Sequence, residues 1–183
     1  EALRGEIASL YSRFNEAARG NPEAAFPAPM TAAELGAFTP GNRPLSFPYA
    51  KWHVTQWTVD QAAALLFCTV EAAERAGVPR DRWIFPLVGL GSSHMAPLTR
   101  RADLHRWPAM QILGRAAERR LGRPLAECDL VELYSCFPVA VRVQQRELGL
   151  PLDGTPTVTG GMSFAGGPFN SFVFQALATM VRR

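Results

Sequence analysis

Lysine is almost missing from this chain. Of 19 basic residues only Lys51 is a lysine, and the others are arginine. The arginines are scattered or sit at helix ends such as Arg119-Arg120, with no stripe interleaved by aromatics. A net charge of +3 spread in this way argues against a nucleic-acid surface. Cysteine is scarce as well. Cys68, Cys128 and Cys136 have no metal-ligand spacing, so no metal site is expected. An odd count without a secretory leader points to a reducing cytoplasm. Histidine occurs three times, at positions 53, 94 and 105, which leaves few candidates for imidazole chemistry. No apolar run approaches the roughly 18 residues of a membrane span. Capped ends are absent too. Glu1 falls inside a helical pattern, and Val181-Arg-Arg183 reads as an unfinished helix. The expectation is a piece of a longer protein, cut at both ends.

What remains is enough for one hydrophobic core. Leu3, Ile7, Leu10, Phe14 and Ala17 recur at helical spacing, so Ala2 to Arg19 reads as a helix stopped by Gly20 and Pro22. Residues 21–57 are rich in proline and irregular, with Thr31-Ala-Ala-Glu34 as a capping box. The tryptophans, Tyr49 and His53 of residues 38–57 argue for an ordered loop, because disordered linkers lack aromatics. From Val59 the pattern turns regular. Ala62–Thr69, Trp83–Val88, Leu130–Leu133 and Pro156–Thr159 read as strands. Val70–Ala76, Pro108–Leu121, Pro138–Leu148 and the stretch from Phe169 read as helices. That alternation predicts an α/β domain over 58–183, a mixed and mostly parallel sheet with helices on both faces, after a helical and irregular lead-in over 1–57.

Chemistry is expected at the strand-to-helix turn Tyr134-Ser-Cys-Phe137, because ligands of parallel sheets gather at strand C-terminal ends. A helix N-terminus favours thiolate at Cys136. A Cys–His pair would need His53, His94 or His105 brought near by the fold. His53, among aromatics, reads as packed, and His94 and His105 as surface residues. Gly89-Leu-Gly-Ser-Ser-His94 lacks the full phosphate-loop fingerprint. Asp60 reads as a carboxylate bonding loop N–H groups. The densest signal is Thr157-Val-Thr-Gly-Gly-Met-Ser-Phe-Ala-Gly-Gly-Pro-Phe-Asn170. Glycines so closely set mark a backbone that runs close to something or adopts positive φ.

Three segments in order resemble the C-terminal half of the thiolase superfamily, in particular the sterol-carrier-protein-type thiolases and the acetyl-CoA acetyltransferases beside them. Val59-Asp-Gln-Ala-Ala-Ala-Leu-Leu-Phe-Cys68 resembles the family's "DGAAA" strand entry. Tyr134-Ser-Cys-Phe137 resembles "NEAF", which reads "HDCF" in the sterol-carrier branch. Gly160-Gly-Met-Ser-Phe-Ala-Gly-Gly-Pro168 resembles "GG…GHP". The resemblance implies a thiolase-like acyltransferase of lipid metabolism acting on acyl-CoA thioesters, with coenzyme A as part of the substrate and no bound cofactor. It implies a homodimer of the whole protein. Cys136 and Tyr134 are the catalytic candidates. Ser135, Phe137, Gly160, Gly161, Gly166, Gly167 and Asn170 are the substrate-binding candidates. The family's nucleophilic Cys and its later acid/base Cys lie in segments outside this chain. Gly167 stands where the family has the "GHP" His, and Tyr134 and Ser135 where it has Asn and Glu. Glycine cannot move a proton. Two alternatives therefore accompany the acyltransferase. One is a retro-aldolase acting on a β-hydroxyacyl-CoA with an OB-fold partner, and the other is a non-catalytic acyl-CoA-binding scaffold.

Overall fold

The computed structural model describes residues 1–183. Helix α1 spans Ala2–Arg19 and buries Ile7, Ala8, Leu10, Tyr11, Phe14, Asn15 and Ala18. The buried stripe is thus rotated from the one the spacing marks, because Leu3 at its start stays exposed. Helix α2, Ala32–Gly36, opens on the expected capping box: Thr31 Oγ1 accepts from Glu34 N–H, and the Glu34 carboxylate accepts from Thr31 N–H.

Two buried asparagines give the proline-rich lead-in its order. Asn15 donates to the Ala28 carbonyl at 2.9 Å and accepts from Met30 N–H at 2.7 Å. Asn42 donates to the carbonyls of Leu35 and Ala37 and accepts from Trp52 N–H. Their amides satisfy backbone groups that no regular element reaches. A short antiparallel hairpin follows, β1 (Pro44–Ser46) with β2 (Tyr49–Ala50).

Helices α3 (Val70–Arg75), α4 (Pro108–Leu121), α5 (Pro138–Glu147), α6 (Gly161–Phe164) and α7 (Phe172–Arg182) complete the chain. Helix α4 has proline in its first turn and the left-handed Gly122 after its end, as its sequence predicts. Helix α7 starts three residues later than expected, because Phe169–Ser171 forms a 3-10 turn. The core joins Leu10, Tyr11 and Phe14 of α1 to Leu35, Leu133, Val141, Leu150 and Phe164, so it crosses the expected boundary at residue 57. Glu147, its side chain fully buried, receives Arg106 in a two-pronged ion pair at 2.6 and 3.1 Å, which ties the segment before α4 to α5 at that residue. The guanidinium holds the Glu147 carboxyl below its ordinary range.

The expected mixed, mostly parallel sheet is not formed by these residues. The β1–β2 pair is the one ladder. Residues 62–69, 83–88, 130–133 and 156–159 run without ladder bonds to one another, apart from Leu133 N–H to the Pro156 carbonyl at 3.1 Å. The reason lies in exposure. Leu66 is 93% and Leu87 77% exposed, so the apolar runs that read as buried strands have no layer upon them. The accessible surface agrees. It is 11730 Å², where a compact chain of this mass exposes roughly 8,700 Å². No helix is long and apolar enough to cross a membrane.

Candidate functional site

Cys136 ends an extended stretch and immediately precedes Phe137, the N-cap of α5, with Pro138 as the first helical residue. Gln144, nearly two turns into the helix, fixes this entry. Its amide donates to the Tyr134 carbonyl at 2.7 Å, and its carbonyl accepts from Tyr134 N–H at 3.3 Å. On the other side the Cys136 carbonyl accepts from the N–H and hydroxyl of Thr55. Cys136 therefore sits where the sequence places it, at a helix start held from two directions.

Its thiol borders a cavity of about 710 Å³ whose walls include Phe26, Leu45, Trp57 and Phe137, with Arg43 and Lys51 among the polar residues. No carboxylate lines this cavity. The chain's single lysine is thus at the site, its ammonium 4.5 Å over the Trp52 ring. Burial pushes the Cys136 thiol up from its ordinary range, and the nearby backbone N–H groups of Phe137 and Cys136 offset this only in part. Desolvation thus opposes the pull of the helix start toward a thiolate. Iodoacetamide should consequently alkylate Cys136 slowly at neutral pH, with a rate rising about tenfold per pH unit until it passes the raised thiol value. Peptide mapping across pH 7–10 measures this. A plateau reached by pH 8 would contradict it.

No histidine lines the cavity that Cys136 borders. His53 is fully buried, its Nδ1 accepting from Ala50 N–H at 3.1 Å and its ring edge-on to Tyr11. Burial holds it below the ordinary histidine range. His94 and His105 are exposed on segments elsewhere. Tyr134 is half exposed and borders a separate recess of about 350 Å³ with Arg101, Trp107 and Met110. The two catalytic candidates thus open into different cavities. Phe137 lines the Cys136 cavity and tilts against Tyr49 at 5.7 Å. Asn170 lies exposed in the turn before α7 and lines neither cavity.

The glycine-rich stretch is built from its hydrogen bonds. The Glu132 carboxylate accepts from Val158 N–H at 2.8 Å, Thr159 N–H at 2.9 Å and the Thr157 hydroxyl at 2.9 Å. Thr157 Oγ1 accepts from Gly160 N–H, Thr159 Oγ1 from Gly161 N–H, and Ser135 Oγ from Met162 N–H. Five successive N–H groups are therefore taken by side chains of the chain itself. Ser135, 1% exposed, serves this turn and lines neither of these cavities.

The close approaches marked by the glycines are also internal. A Cβ on Gly160 would lie 2.4 Å from that of Ala18, and one on Gly161 2.5 Å from the Phe14 ring. At Gly166 it would meet the Gln61 amide oxygen at 2.6 Å, and at Gly167 the Thr55 methyl at 2.3 Å. Thr55 and Gln56 run between Cys136 and the glycine loop. Thr55 N–H donates to the Cys136 carbonyl, Gln56 N–H to that of Met162, and Gly167 N–H to that of Gln56.

Three residues escaped the sequence reading. Glu132 signals itself only as a lone acid in Leu130-Val-Glu-Leu133. Gln61, rather than the exposed Asp60, bonds the loop, donating to the carbonyls of Glu23 and Ala165. Thr55 carries no sequence signal at all.

Compared with protein-family models and with characterised proteins, the sequence finds no match. Among solved structures the architecture is that of a thiolase-like α/β protein. One similar structure is a monomeric SCP2-thiolase-like protein type 1 from Mycobacterium smegmatis, 29% identical, with a TM-score of 0.81. The alignment covers 98% of this chain and 40% of that one. The chain has the SCP2-type thiolase-like fold, and it spans 40% of the length of the protein it matches.

Proposed function

We propose that this chain forms the acyl-CoA-facing part of a thiolase-like acyltransferase. The observation that carries the proposal is the Cys136 cavity: an apolar and aromatic interior, two cations, and no carboxylate. Arg43 and Lys51 suit the phosphates of an acyl-CoA. Phe26, Leu45, Trp57 and Phe137 suit its acyl and pantetheine parts. The transferring step is attack of a thiolate on the thioester carbonyl. The carbon–sulfur bond to coenzyme A breaks as a new one forms, and the departing thiolate takes up the proton released by the attacking thiol. Homodimerisation of the whole protein belongs to the same proposal, although the similar protein is described as monomeric.

A second reading has its own support. The Thr55 methyl and Met162 occupy the space that any side chain at position 167 would need, and no histidine lines the Cys136 cavity. A protein so arranged binds acyl-CoA as a scaffold, or cleaves a β-hydroxyacyl-CoA with an OB-fold partner, without an acyl-enzyme. Intact-mass analysis of the whole protein after incubation with acyl-CoA separates the readings. The acyltransferase shows an acyl adduct, and Cys136→Ala lowers its turnover. Saturable acyl-CoA binding with no adduct leaves the scaffold or the aldolase, and release of an aldehyde or ketone from a β-hydroxyacyl-CoA selects the aldolase.

A further inference from the structure

On the face of α1 that carries Gly5, Ser9 and Arg13, and beside Arg142 and Arg146 of α5, lies a polar recess of about 740 Å³. It shares no lining residue with the Cys136 cavity. Three guanidinium groups border it. None is within salt-bridge distance of a carboxylate, although the chain's other ion pairs show that its arginines find acids where they are near.

Each arginine is held by neutral acceptors. Arg13 Nη1 donates to the Ser9 carbonyl and hydroxyl at 3.3 and 3.2 Å, while its Nε is buried without a partner. Arg142 donates to the Gln145 side chain at 3.0 Å and to the Leu152 carbonyl. Arg146 donates to the His105 carbonyl at 3.0 Å. These bonds orient the groups without pairing any of them to a carboxylate. Burial, and then the neighbouring Arg13, push the Arg142 guanidinium down from its ordinary range, so the like charges interact. Glu6 and Asp153 also line the recess, and Glu6 acts on Arg142 in the opposite sense. The balance is three cations to two acids, with the cations unpaired.

We propose that this recess is an anion site for a phosphoryl group, free or carried by a small ligand. A planar carboxylate satisfies one guanidinium fork. A tetrahedral dianion offers acceptors in several directions, which three arginines from two helices require. The site is independent of the acyl-CoA reading. Arg146 lies about 15 Å along α5 from Cys136, by the rise of a helix.

The test is a titration of the full chain with inorganic phosphate, read by 31P line broadening at constant ionic strength. Glycerol 3-phosphate in a parallel arm distinguishes a phosphorylated ligand from free phosphate, according to which binds more tightly. Saturable broadening is expected. Arg142→Gln should weaken it at least about tenfold, as loss of one charge-assisted contact does. Arg146→Gln, at an exposed side chain that holds only the His105 carbonyl, serves if Arg142→Gln disturbs the fold, and should weaken binding as well. Glu6→Gln should tighten it roughly threefold by removing a repelling charge. Arg119→Gln, on the exposed face of α4, should change nothing. Non-saturable broadening in the wild-type chain, or saturation unchanged in both arginine variants, overturns the proposal.

Discussion

Gly160→Ala is expected to cost about 2–5 kcal/mol of stability, the sum of roughly 1–2 for a left-handed backbone and 1–3 for overpacking. In a chain of this size that lowers Tm by roughly 5–20 °C. The position has φ +100°, and a methyl there would stand 2.4 Å from the Ala18 Cβ and 2.7 Å from its Cα. Those atoms belong to the α1 helix at its closest approach to the loop. No flexible side chain can turn aside, so α1 and the loop must separate. Gly161→Ala behaves likewise, with φ +66° and the Phe14 ring at 2.5 Å. Gly77 and Gly122 are the controls. Both have positive φ, at +67° and +71°, and neither has anything within 4 Å of the added methyl. Their alanine variants should lose only the backbone share, about 1–2 kcal/mol. Urea melts of the four variants measure the difference. Equal losses at all four positions would remove the packing argument.

Glu132→Ala should cost about 3 kcal/mol or more. It leaves the N–H groups of Val158 and Thr159 and the Thr157 hydroxyl without their acceptor, and each buried unsatisfied group costs about 1–3 kcal/mol. Glu132→Gln should lose less, because its carbonyl still accepts while its amide nitrogen faces donors. The loss should also depend on pH. Burial raises the Glu132 carboxyl above its ordinary range, against the pull of its hydrogen bonds. The folded chain then holds this proton more tightly than the unfolded chain. The resulting stability is fully present below the unfolded carboxyl value of 4.5 and is lost as pH rises through the higher folded value. Glu132→Gln has no such proton. The stability gap between wild type and this variant should therefore narrow as pH rises from 4 upward, as thermal melts in matched buffers will show. A gap that widens over that range would mean the carboxyl is lowered instead.

Helices α1, α2 and α4 were legible from the sequence because their signals are local. A capping box at Thr31, a proline at position 108 and a glycine at position 122 act within one or two turns. The glycine loop and the placement of Cys136 at a helix start were legible for the same reason. The strands were not. Leu66, Phe67, Ile84 and Leu87 form apolar runs typical of buried strands, yet a strand is completed by its neighbours, and here these side chains face solvent. The partners of the glycines were hidden as well. That Gly167 makes room for Thr55, and Gly160 for Ala18, depends on contacts between distant parts of the chain. Sequence spacing showed that something lay close to these glycines, but not what it was.

The union of α1 with the turn at residues 157–164 has a consequence for synthesis. Ala25 and Phe26 N–H donate to the carbonyls of Ala165 and Phe164, and the Asn21 amide donates to that of Thr159. As a nascent polypeptide leaves the ribosome, α1 emerges with its apolar stripe uncovered. At the usual pace of translation, its partners at residues 157–164 follow on the order of ten seconds later. During that interval the part of the stripe that Leu35 of α2 does not cover is open to any apolar surface nearby. Chaperone holding of α1 during that interval should therefore raise the yield of correctly packed protein.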